Sequence, residues 1–119
     1  MRAVLAGIAL MLAMVSCEGS SPAFAESEPE FSPYDEAVYE IICAYPWPCE
    51  KAVRVAFCES THNERAKNGV YRGWFQIGDL HYWHVSDPNE LYDPEINTSV
   101  AYYIWEHRGW APWPTCGRL

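Results

Sequence analysis

The sequence predicts a small, mainly α domain with one short β-hairpin and two disulfides. Three observations lead there. Apolar residues recur at helical spacing in three runs, near 34–45, 50–60 and 93–108. Between the second and third, Asn68-Gly69 signals a hairpin turn, and Val70, Tyr71, Trp74, Phe75 and Ile77 follow it with strand-forming side chains. Four of the five cysteines lie within this helical part of the chain.

The first segment is set apart. Met1-Arg2 gives a positive start, and Ala3 to Val15 carries no charged or polar side chain. That run is shorter than the roughly 20 residues a spanning helix needs, but it suits the apolar centre of a signal peptide. Two exits fit. Ala23-Phe24-Ala25 before Glu26 has the small-x-small form of a cleavage site, giving a signal over 1–25. Alternatively, Met14-Val15-Ser16-Cys17 resembles the box before a lipidated cysteine in bacterial lipoproteins, which would tether the protein to a membrane through Cys17. Either exit places the domain outside the cytoplasm, secreted or at the cell wall or periplasm. Residues 26–33 are acidic, polar and Pro-containing, the composition of a linker, and the domain is expected over 34–119.

In that domain Ser32 is expected to cap the first helix, with Pro33 in its first turn and Asp35 at the third position. Ala37 and Ile41, and Tyr34, Val38 and Ile42, recur at helical spacing until Pro46-Trp47-Pro48 breaks the run. The second helix covers about 50–60, with Ala52, Val55, Ala56 and Glu59 on one face. A buried face there would hold a carboxylate, which is costly unless paired, neutralised or used. After the hairpin, Asp79 is expected to cap a short helix through His84. Asp93-Pro94 opens a helix carrying Ile96, Val100, Tyr103, Ile104 and His107, and Gly109 ends it. The tail from Trp110 to Cys116 is stiff and aromatic.

Cysteine parity agrees with an oxidising compartment. With Cys17 in the signal, Cys43, Cys49, Cys58 and Cys116 allow three pairings. Cys43 and Cys49 enclose a short Pro-rich bend and are paired, which leaves Cys58 with Cys116. Closing that long loop stabilises by about 3–5 kcal/mol in the chain-entropy account. The formal net charge of −8 argues against nucleic acid and anionic membrane surfaces as partners. Six Trp and eight Tyr supply flat faces of the kind that stack on sugar rings.

Glu59 falls in the last turn of its helix, where the negative end of the helix dipole and burial both raise a carboxyl pKa. A carboxylic acid that keeps its proton near neutral pH is suited to general-acid work, and glycoside cleavage needs one to protonate the leaving oxygen. The plain alternative is a Glu59 that turns outward to pair with Arg54 or Arg65.

Four blocks bear on that choice: Cys58-Glu59-Ser60; Asn63-Glu64-Arg65-Ala66; Gly73-Trp74-Phe75-Gln76-Ile77; and Asp93-Pro94-Glu95-Ile96-Asn97 with Ala101-Tyr102-Tyr103. In this order, and with the Trp-rich tail ending in Cys116, residues 34–116 resemble the lysozyme-like catalytic domains of lytic transglycosylases and resuscitation-promoting factors. The resemblance implies a lysozyme-like α+β fold with Glu59 as catalytic acid and independently supports the Cys58–Cys116 pair. It implies peptidoglycan glycan strands as substrate and partner, cut at the β-1,4 bond from N-acetylmuramic acid to N-acetylglucosamine by a monomer without cofactor. It places Ser60 beside the acid, Gln76 facing the cleft, and Asn97 and Tyr102 along the far wall, with Tyr71, Trp83 and Trp105 as stacking faces. Two departures stand out: the tail lacks the Tyr-Asn-Ala-Gly block common in lytic transglycosylases, and Trp74 replaces an aliphatic residue.

With Glu59 as sole acid and base, the muramyl 6-hydroxyl closes a 1,6-anhydro ring. With Asp79 as a second acid orienting water, the protein is a lysozyme-type hydrolase. A wall-binding protein with an inert Glu59 would use the same aromatics. A zinc site from His62, His81, His84 and His107 is the remaining class, and no Cys or His pair completes a metal pattern there.

Overall fold

The computed structural model describes residues 36–119. The signal segment, Cys17, the linker and the Ser32–Asp35 helix start lie outside the described residues. The architecture is mainly helical, with one two-stranded antiparallel hairpin: α1 (Glu36–Ile42), α2 (Cys49–Ser60), β1 (Lys67–Asn68), β2 (Tyr71–Arg72) and α3 (Pro94–Arg108). Among the described residues no helix is long and apolar enough to cross a membrane.

The helix ends follow local chemistry. Asp93 caps α3, its Oδ1 accepting from Glu95 N at 2.8 Å and Ile96 N at 3.2 Å, with Pro94 in the first turn. Gly109, at φ +61°, closes it. Thr61 ends α2 in the left-handed region, and its N–H donates to Phe57 O at 2.7 Å. Ala52, Val53, Val55, Ala56 and Ser60 form the buried face of α2. Glu59 stands at the edge of that face, half-buried, rather than within it.

The hairpin turn lies one residue later than expected. Lys67 pairs with Arg72 and Asn68 with Tyr71, so Gly69 and Val70 form the tip. Gly69 has φ +65° and Val70 does not share it, which is the type II′ pattern with glycine first. Trp74, Phe75 and Ile77 do not prolong β2. Gly73 (φ +79°) and Gln76 (φ +52°) fold the chain back so that Arg72 and Ile77 exchange backbone bonds of 3.1 and 3.0 Å. This tight loop buries all three apolar side chains. The next segment, Asp79–His84, is 3₁₀ rather than α. Gly78 is its cap, and Asp79 is its first helical residue with no side-chain capping bond. A second 3₁₀ turn, Pro88–Tyr92, precedes α3.

Irregular backbone inside a core needs partners, and Asn97 provides them. It is fully buried. Its Oδ1 accepts from Phe75 N at 2.8 Å, while its Nδ2 donates to Arg72 O at 2.8 Å and Leu91 O at 2.9 Å. The expected cleft-wall residue therefore ties the loop to α3 from within the core. Gly73 lets it approach, since a Cβ there would lie 2.3 Å from Asn97 Nδ2. Asn97→Ala strands the Phe75 N–H and Leu91 O, while Arg72 O keeps its bond from Ile77 N–H, and is expected to destabilise by about 2–3 kcal/mol. The check is the midpoint of denaturant unfolding at unchanged slope.

Both disulfides are present, Cys43–Cys49 with Cα atoms 5.1 Å apart and Cys58–Cys116 with 5.7 Å. Such bonds persist in oxidising, extracytoplasmic surroundings.

Candidate active site

The end of α2, the hairpin and the aromatic tail meet around Glu59. The second disulfide fixes this junction, because Cys58 precedes Glu59 and Cys116 belongs to the tail. Trp113 anchors the tail from the other side: its indole Nε1 donates to Phe75 O at 2.9 Å. The result is a cavity of about 340 Å³ with Glu59 in its wall. Asn68, Tyr71 and Gln76 face it from the hairpin side, and Trp113, Thr115 and Cys116 from the tail. A volume of this size is at the small end of ligand pockets.

Burial holds the Glu59 carboxyl above its ordinary pKa, and no charged neighbour contributes to that shift. An outward pairing with Arg54 or Arg65 is therefore not what sets its state. The protonated form is favoured to higher pH than in a free glutamate. The sign for activity follows: an acid-catalysed step is retained as pH rises past the ordinary carboxylate range and is lost as pH passes the raised pKa. The alkaline limb of kcat/KM for glycan cleavage should therefore lie above 4.5, the ordinary value for a glutamate. For stability the direction is the same. The folded state binds the Glu59 proton more tightly than the unfolded chain does, so Glu59 favours folding more below its unfolded pKa than above its folded one.

Tyr71 and Gln76 line the same cavity as Glu59. Tyr71 is 50% exposed and flanks the cavity from β2. Gln76 is half-buried in the left-handed region, its Nε2 donating to Gly73 O at 3.0 Å and Ala66 O at 3.3 Å. Left-handed backbone at a non-glycine residue is held only where its surroundings over-determine it. A second cavity, about 170 Å³, shares Tyr71, Gln76, Pro112 and Trp113 with the first. Asp79 lines this neighbour, not the Glu59 cavity.

Other expected site residues have different surroundings. Ser60 is buried, with its Oγ between Ala56 O at 3.0 Å and Trp74 O at 2.9 Å, so it fastens α2 to the loop instead of touching the acid. Trp74 is buried and its Nε1 donates to His62 O at 3.1 Å, so it packs below the helix end and does not shape the cleft. Tyr102 and Trp105 line neither cavity. They join an aromatic cluster, with Tyr102 stacked on Tyr45 at 4.8 Å and Trp105 edge-on to Trp47 at 6.0 Å. Trp83 is 68% exposed and stacks on His84 at 3.8 Å outside both cavities. Asn68, Trp113, Thr115 and Arg108 also line these cavities, with no functional signal in the sequence. Asn68 was visible only as a turn residue, and the tail residues only as partners of Cys116. Among the described residues no group of three or more His, Cys, Asp or Glu side chains is arranged to hold a metal ion.

No known protein family, characterised protein or solved structure matches this chain.

Proposed function

We propose that the protein is an extracytoplasmic lytic transglycosylase of peptidoglycan. It cuts the β-1,4 bond between N-acetylmuramic acid and N-acetylglucosamine. The observation that carries this reading is Glu59, a half-buried carboxyl with a raised pKa, set in a cavity beside an exposed tyrosine and a glutamine. In its protonated form Glu59 gives its proton to the bridging oxygen, and the C1–O bond breaks with oxocarbenium character at the muramyl carbon. Glu59, now a carboxylate, takes the proton of the muramyl 6-hydroxyl as that oxygen bonds to C1. The glycan is cut, a 1,6-anhydro ring forms, and Glu59 ends protonated as it began.

The placement of Asp79 favours a second reading. It lines the adjoining cavity, which shares four residues with that of Glu59. Were Asp79 to orient a water on the muramyl C1, the product would be a free reducing end and the protein a muramidase. Release of soluble fragments from purified peptidoglycan tests both readings together. The wild-type chain is expected to release them and Glu59→Gln to release about a thousandfold less in the same time. Equal release by the two would remove Glu59 from the mechanism, and release of reducing ends lost in Asp79→Asn would favour the hydrolase.

A further inference from the structure

The second cavity has a composition that cleavage at Glu59 does not use. Its floor is apolar, formed by Ile77, Ile104 and Trp113, all buried. Its polar rim includes Asp79, His81 and Arg108. Arg108 belongs to the last turn of α3 and is exposed, and among the described residues it has no ion-pair or side-chain hydrogen-bond partner. It lies close enough to His81 for its charge to disfavour the protonated imidazole. The chain as a whole is acidic, with 16 Asp and Glu against 8 Lys and Arg. A carboxylated polymer is disfavoured by the net charge of −8. An unpaired guanidinium beside an apolar floor is where such a polymer gains instead, since its planar fork matches a carboxylate and a less polar wall strengthens the attraction.

We propose that this cavity is a carboxylate pocket of the same cleft, in which Arg108 receives the acid group carried by an N-acetylmuramyl unit. The inference rests on the peptidoglycan reading above. The acid has two sources, the free lactyl group of a strand without peptide and the carboxylates of an attached stem peptide. Asp79 opposes either one, being of like charge in the same cavity.

The test is equilibrium binding by calorimetry to the oxidised full chain carrying Glu59→Gln, so that nothing is cut. The ligands are short glycans of alternating N-acetylglucosamine and N-acetylmuramic acid in four forms: free lactyl acid, lactyl methylamide, stem peptide with free carboxylates, and stem peptide with amidated carboxylates. Acid forms are expected to bind about tenfold more tightly than their amides, as one charged hydrogen-bonding partner provides. Adding Arg108→Gln should collapse that ratio to near one. Arg108→Lys should keep part of it, and Asp79→Asn should enlarge it. A preference confined to the lactyl pair, or to the peptide pair, names the source. Glycan binding with no difference between acid and amide, or a difference that survives Arg108→Gln, would overturn the carboxylate pocket and leave the proposed activity standing. No binding of any form would overturn both.

Discussion

Glu59→Gln is expected to reduce glycan cleavage by about three orders of magnitude, within the range that a positioned general acid contributes. Glutamine keeps the shape and removes the proton. The loss should fall on kcat and kcat/KM alike, because the proton is transferred in the transition state and not in the bound ground state. The same substitution should not harm the fold. Burial disfavours the charged form of Glu59, so a neutral amide should be no worse in that wall near neutral pH, and relatively worse only in acid. Comparing the melting temperatures of the two proteins at pH 7 and below pH 4 checks the sign. A variant that is inactive because it is unfolded would show a lower melting temperature at both.

Removing the Cys58–Cys116 bond is expected to cost about 4 kcal/mol, the loop-closure value for its sequence separation of 58 residues. Removing Cys43–Cys49, at a separation of six, should cost about 2 kcal/mol on the same footing. Chemical denaturation of the two double Cys→Ala variants separates them. Function should separate them further. Cys116 lines the cavity that contains Glu59 and Cys58 is its chain neighbour, so the first variant loses activity even where it remains folded. The Cys43–Cys49 bend lines neither of the two cleft cavities, and that variant should keep its kcat at temperatures where it is folded. Equal losses of activity from both would mean that the tail holds its place without the covalent tie.

What the sequence disclosed follows from how local each feature is. The cap at Asp93 and the stop at Gly109 depend on a few neighbouring residues, and α3 begins and ends where those residues say. The hairpin was visible as well, but Asn68-Gly69 and Gly69-Val70 both offer glycine a turn position, and only the pairing of Lys67 with Arg72 decides between them. The loop from Gly73 to Ile77 was less legible. Its buried aromatics look like a strand, while its fold depends on side-chain bonds from Asn97, more than twenty residues away. Asn97 and Ser60 illustrate the same limit. A polar residue among apolar ones is visible in a sequence, but whether it serves a ligand or an unpaired backbone group is not. Tyr102 and Trp105 differ from Tyr71 only in what packs over them, and periodicity does not report that. Glu59, Gln76 and Tyr71 converge on one cavity, and Trp113 and Thr115 reach it on the tail that Cys116 ties down.

The central claim is that Glu59 alone serves as acid and then base at a muramyl bond. Mass analysis of the sugars released from purified peptidoglycan by the oxidised protein tests it most directly, with Glu59→Gln beside it. The account predicts products lighter by one water than hydrolysed fragments, and about a thousandfold less of them from the variant. Products with free reducing ends would contradict the single-residue mechanism and transfer the second role to Asp79. No products from either protein, with binding to the wall retained, would contradict catalysis itself.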